Sequence, residues 1–181
     1  MPSVLDTTSL ALAEQCAIRL DGDGFTLGDA LIAADEPDGP VQRAASLATA
    51  VSPYDLVLAG WTAAWVLGAT DLLRRPLQLA TDSDGGSRSK VVPVREVAFG
   101  PRDLLRIGGV RVTCAFRTAT DLARLEPALP DETVAVIDAL VAAAGLTWRQ
   151  AVAALVATPA APGKLRALDR FRARRDGTDP L

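Results

Sequence analysis

Apolar and polar positions along this chain switch between two spacings, and the switches divide it into segments. From Ser9 to Leu20 the apolar residues Leu10, Ala13, Ala17 and Leu20 recur at helical intervals, which predicts a short amphipathic helix. DGDG at 21–24 breaks it. The next stretch, FTLGDALIAAD, fits a strand or a helix. After EPDG, Pro40 suits the first position of a helix running to about Ala50, because the N–H it lacks is not needed there.

Residues 52–69 predict a short apolar strand, Leu56 to Ala59, then a helix ending near Gly68. Trp61 and Trp65 stand four apart in that helix and so share a face. The pair is read as core packing in preference to an exposed binding surface. LQLAT reads as a strand and DSDGGSRS as a polar loop. KVVPVREVAF, interrupted by Pro93, fits an edge strand or two short ones. DLLRIGGVRVTC is two apolar runs joined by Gly108-Gly109, a tight hairpin.

From Cys114 onward the pattern is helical. Thr118 is placed to cap a helix that ends before Pro127, with Asp121 as the acidic partner of a capping box. A second helix follows PDE and carries Val134, Ile137, Leu140 and Val141 before Gly145. A third starts at Thr147 as N-cap and carries Trp148, Val152 and Leu155. TPAAPG then links to a basic helix, KLRALDRFRARRD. The expectation is an α+β fold: a small, mostly antiparallel sheet with a central hairpin, packed by helices from both ends of the chain. Residues 1–50 form an acidic helical segment of the same domain, 51–158 the core, and 159–181 a linker with a basic terminal helix.

Composition narrows the chemistry. Of 181 residues, 49% are hydrophobic but only 4% aromatic, so the core is built mainly from Ala, Val and Leu. The net charge of −3 argues against a wholesale nucleic-acid binder. In the first fifty residues Asp6, Glu14, Asp21, Asp23, Asp29, Asp35, Glu36 and Asp38 face only Arg19 and Arg43. A winged helix there would need a basic recognition helix to approach phosphates. No apolar run nears the roughly 18–20 residues that span a bilayer, and no basic stretch precedes an apolar one at the start, so the expectation is a cytoplasmic protein without a membrane partner. Cys16 and Cys114 are then expected to be reduced, buried small hydrophobes.

The chain has no histidine. That excludes Ser-His-Asp and Cys-His catalysis and histidine-based zinc sites. Lys90 and Lys164 sit in polar surroundings, no phosphate loop is present, and Asp82 with Asp84 falls short of a calcium-loop pattern. Neither an enzyme nor a cofactor is expected. In the terminal helix Lys164, Arg166, Arg170, Arg172, Arg174 and Arg175 outnumber Asp169, Asp176 and Asp179, and 166, 170 and 174 share one face. That stripe is a solvated face or, in the alternative reading, a nucleic-acid contact of a transcriptional regulator.

AGWTAAWVLGA with LQLAT, then IGGVRVTCAFRTATDLARLEP, then ETVAVIDALVAAAGLT, resembles the C-terminal domain of AbiEi-type antitoxins, in particular the short actinobacterial members. The likeness covers about residues 55 to 150. It rests on Gly109, Val112, Thr113, Arg117, Thr118, Asp121, Leu122 and Ala123, with Asp138, Ala139 and Leu140 on the following helix. The resemblance implies a bacterial cytoplasmic antitoxin that neutralises a partner toxin by direct contact, the toxin in the best-known systems being a nucleotidyltransferase. Many members also carry an N-terminal winged helix that represses their operon, and some continue into a nuclease-like domain. The acidic N-terminal region and the chain's end at Leu181 depart from both patterns, leaving the antitoxin-like core as the expectation. Within the block, Arg117, Thr118 and Asp121 have two readings. One is a capped helix with Arg117 pairing a carboxylate to hold hairpin against helix; the other places these residues, with Trp61 and Trp65, against the partner. The structural reading is preferred.

Overall fold

The computed structural model describes residues 4–6, 10–52, 55–82 and 94–178. The first helix, α1 (Leu12–Leu20), starts where the Glu14 carboxylate accepts the Ala11 N–H at 2.9 Å. None of its residues is buried. The stretch that fitted both strand and helix is a hairpin of β2 (Gly24–Leu27) and β3 (Ala30–Ala33), and β1 (Val4–Asp6) pairs with the other side of β3. Period two wins because Phe25 and Leu27 stand opposite Ile32 and Ala30, so all four present one apolar face. Pro40 does open a helix, but the run to residue 50 is split into α2 (Pro40–Ala45) and α3 (Ala48–Val51). At the break the Ser46 hydroxyl donates to the Arg43 carbonyl at 2.8 Å, a local alternative to continuing the helix.

The larger sheet has β4 (Val57–Leu58), β5 (Leu79–Asp82), β6 (Val94–Val97), β7 (Leu104–Ile107) and β8 (Val110–Thr113), in the order β6-β5-β4-β8-β7. The turn between β7 and β8 is Gly108-Gly109, with φ of 57° and 84°, values that side chains resist. This hairpin forms one side of the sheet. The β4–β8 and β5–β6 pairs are parallel and the other four described pairings, counting both sheets, are antiparallel. Register places Val94, Leu79, Leu58 and Val112 in one line across four strands, and this line packs with Leu27, Ile32, Leu47 and Trp65 in one apolar cluster. Apart from Asp82, the polar loop expected at DSDGGSRS, with Asp84, lies outside the described residues, as does the first part of the strand expected at KVVPVREVAF, with Lys90.

The second cluster belongs to helices. α4 (Gly60–Val66), α5 (Ala115–Leu125), α6 (Asp131–Ala143), α7 (Trp148–Ala157) and α8 (Lys164–Thr178) bring together Trp61, Leu122, Ile137, Leu140, Leu155 and Phe171. Thr147 caps α7 as its sequence predicts, accepting from the Gln150 N–H while the Gln150 side chain accepts from the Thr147 N–H. α8 is docked rather than loose: Ala167, Leu168 and Phe171 are buried, and the Phe171 ring meets Trp148 edge to face at 5.2 Å. α4 lies between the two clusters and is buried from Trp61 to Val66. Trp61 and Trp65 are four residues apart, yet Trp61 packs in the helical cluster and Trp65 in the sheet cluster. The chain is thus α+β, with helices at both ends of the chain. No single described helix is long and apolar enough to cross a membrane.

Candidate functional site

The block carrying the family resemblance folds as strand β8 followed directly by α5. The helix begins four residues earlier than the sequence pattern suggests: Cys114 is its N-cap, and its sulfur accepts the Arg117 N–H at 3.4 Å. Thr118 is therefore not a cap. It lies fully buried in the second turn, its hydroxyl 2.7 Å from that of Thr113 and 2.9 Å from the Cys114 carbonyl oxygen. Asp121 correspondingly closes no capping box. Burial pushes the Cys114 thiol up from its ordinary value, with the Asp103 charge adding to the effect. Neither cysteine is a buried small hydrophobe; both are half-buried free thiols, and Cys16 accepts a bond from Arg19.

Arg117 does pair a carboxylate, and more than one. Its Nε donates to Asp121 at 2.9 Å, its Nη1 donates to Asp103 at 2.5 Å, and its guanidinium sits 5.3 Å from the centre of the Phe99 ring. Asp103 in turn accepts the Gly100 N–H at 2.9 Å, and its carbonyl accepts the Cys114 N–H at 2.7 Å. Asp121 also accepts from Arg124 at 3.1 Å, and Arg124 Nε donates to the Pro162 carbonyl at 2.9 Å. One chain of charge-assisted bonds therefore runs from the loop before β7, through α5, to the segment before α8. Burial pushes the Arg117 guanidinium toward its neutral form, but the Asp121 and Asp103 charges outweigh this and hold its pKa above the ordinary arginine value. Arg124 goes the other way, lowered first by burial and then by the nearby charges of Arg117 and Arg95. The network holds elements together; Arg117, Thr118 and Asp121 are turned inward.

Trp61 is nearly sealed, at 2% exposure. Its indole N–H donates to Glu126 at 2.7 Å, and the Arg74 guanidinium lies 3.4 Å above its ring while pairing with Glu132 at 2.8 Å. Its backbone N–H is taken by the Gln78 side chain at 2.8 Å. That contact requires Gly60, where φ is 51° and a Cβ would fall 1.9 Å from Gln78 Oε1. Beside this corner opens a groove of about 730 Å³, bounded by the start of α4, strands β5 and β6, and the last turns of α5. Arg74, Arg75, Arg95 and Phe99 line it together with Asp121 and Glu126. Trp65 is likewise buried, at 3%.

A second buried arginine escaped the sequence reading. Arg43 Nε and Nη2 grip both oxygens of Asp38, at 2.6 and 2.8 Å, while Nη1 donates to the carbonyls of Trp65 and Thr70 at 2.8 and 3.1 Å. It closes the C-terminal end of α4 and lies 5.3 Å from the Trp65 ring centre. The available signal was an arginine isolated in an acidic region and followed by Ala44 and Ala45, a setting in which a solvated cation has little reason to sit.

The basic residues of α8 are largely committed to the fold. Arg170 donates to the carbonyls of Ala123, Glu126 and Pro127, closing the end of α5, and Arg166 donates to Arg124 O at 3.4 Å. Arg174 pairs with Asp138 of α6, and Lys164 donates to the carbonyls of Val156 and Thr158. Arg172 and Arg175 face Asp169 and Asp176 of their own helix. Large apolar side chains are exposed on several elements, Leu165 of α8 (77%) and Leu72 (60%) among them; α1 carries two, Leu12 at 72% and Leu20 at 86%. Ala13, Ala17 and Leu20 share one solvent-facing stripe, and the exposed acids Glu14, Asp21 and Asp23 border it. No family model matches the chain, and no curated protein matches it either.

Proposed function

We propose that the chain is an AbiEi-like antitoxin that neutralises a nucleotidyltransferase toxin by direct protein contact in the bacterial cytoplasm. The observation that carries this reading is α1: a nine-residue amphipathic helix with no buried residue, whose leucines stand in solvent among acidic side chains. Isolated apolar residues on a surface are ordinary, but a helix that leaves its whole apolar stripe unburied is suited to a partner. The acidic border matches a partner rich in lysine and arginine around an apolar groove, and such borders govern the rate and register of docking. The block from Gly109 to Ala123 supports the family assignment through its sequence, and it serves as the frame on which the contact surface is held. The nucleic-acid alternative draws no support from α8, because Arg166, Arg170 and Arg174 are occupied by carbonyls and Asp138.

The test is a tagged pull-down from the native host at moderate salt, followed by co-expression with any nucleotidyltransferase recovered. A stoichiometric complex that relieves growth arrest supports the reading. The absence of both complex and neutralisation overturns it, and nucleic acid that elutes as salt rises, with no protein partner, moves the assignment to a nucleic-acid-binding regulator.

A further inference from the structure

The groove beside Trp61 has a size and a charge balance that the antitoxin reading does not use. Its volume of about 730 Å³ falls within the roughly 300–1,000 Å³ usual for small-molecule sites. Its carboxylates are already engaged: Asp121 by Arg117 and Arg124, and Glu126 by the Trp61 indole. Two of its three arginines are engaged as well, Arg74 by Glu132 and Arg75 by Asp29. Arg95, exposed on β6 and facing the groove, is the remaining cation and has no acidic partner among the described residues. Pro76, Phe99 and Leu125 add an apolar wall.

We propose that this groove binds a small organic anion of mononucleotide size, its phosphate or carboxylate gripped by Arg95 and its flat body laid along the wall from Pro76 to Leu125. The planar guanidinium fork suits a bidentate hold on either anion, and Arg75, with half its side chain exposed, is placed to share it. Gln78 is held by Trp61 and fixes the floor rather than the ligand.

Isothermal titration of the full chain with AMP, with adenosine as the uncharged control, tests this. AMP is expected to bind in the millimolar range or tighter, to weaken as ionic strength rises, and to exceed adenosine by about tenfold or more, the scale of a charge-assisted bond. Arg95→Gln is expected to cut AMP affinity about tenfold while Arg102→Gln, at an exposed position outside the groove, leaves it unchanged. The urea midpoint of Arg95→Gln, taken in parallel, confirms an intact fold. Undetectable AMP binding at millimolar concentration, equal affinity for adenosine, or full affinity in Arg95→Gln would each overturn the proposal, whatever the outcome of the toxin experiment.

Discussion

Arg117 holds Asp121 at 2.9 Å from one edge of its guanidinium, leaving its outer nitrogen for Asp103 fourteen positions earlier in the chain. The pair therefore joins a helix to the loop in front of a strand, and removing the cation leaves Asp103 without its ion partner and Asp121 with Arg124 alone. Arg117→Met is expected to lower unfolding stability by about 3 kcal/mol, and Arg117→Lys by less, since one ammonium cannot reach both acids in the same geometry. Urea denaturation of the two variants measures this. Equal stability in Arg117→Met and the parent would show that the chain of bonds contributes nothing.

Asp38 offers a pH test. The hydrogen bond from Arg43 holds its carboxyl below the usual carboxylate value, against a smaller upward push from burial. A depressed folded pKa contributes stability that is present above the unfolded value, about 3.9, and is lost as pH falls through the folded one. Stability should therefore fall on acidification below about pH 4, and Asp38→Asn should flatten that part of the profile. Denaturant midpoints measured from neutral pH downward decide it; parallel profiles for the two proteins would dismiss the linkage.

Gly60 is a steric prediction. A methyl group there meets Gln78 Oε1 at 1.9 Å on a backbone with φ of 51°, so Gly60→Ala should cost about 2–3 kcal/mol, combining strain at positive φ with the lost Trp61 contact. Combining it with Gln78→Ala should recover the collision but not the backbone strain of about 1–2 kcal/mol. A double-mutant cycle in which the two costs simply add would refute the clash.

The tail helix can be tested by truncating its anchor. Phe171 is 1% exposed and packs on Trp148, so Phe171→Ala should cost about 3–5 kcal/mol. Arg170→Gln, which leaves three carbonyls at the end of α5 with weaker donors, should cost about 1–3 kcal/mol. Thermal melts suffice. A terminal helix that merely trails from the domain would leave both variants at the parental melting temperature.

On α1 the expectation is reversed. Leu12→Glu with Leu20→Glu should leave the melting temperature within about 1–2 °C, because neither side chain is buried, yet abolish capture of the proposed partner. Capture that survives the double substitution would place the partner elsewhere on the surface.

Local signals were legible where one residue type meets one backbone requirement. Gly108-Gly109, Pro40 and Thr147 each took the place their chemistry predicts. Thr118 misled because a threonine three residues before an aspartate has the same spacing in the middle of a helix as at its start. The true cap is Cys114, a residue with little capping preference, fixed there by its backbone bond to Asp103. The segment around Gly28 stayed open because only pairing with Val4–Asp6 and packing against α2 and α3 select the strand. The parallel pair β4–β8 joins strands more than fifty positions apart, Val57 to Arg111, and leaves no local mark. Arg117 was legible as a pairing residue, whereas the groove, made by four separate elements, was not. The inward turn of the α8 arginines was also hidden, since a basic stripe looks alike whether it meets phosphate or helix-end carbonyls.

α4 has a consequence for how the molecule comes apart. Its two tryptophans lie in different clusters, one among helices and one against the sheet. Neither half can lose its packing without exposing an indole that the same seven-residue helix shares with the other. The two cores are therefore yoked into one cooperative unit, so that a perturbation at one end of the protein is answered at the far end in the same melting event.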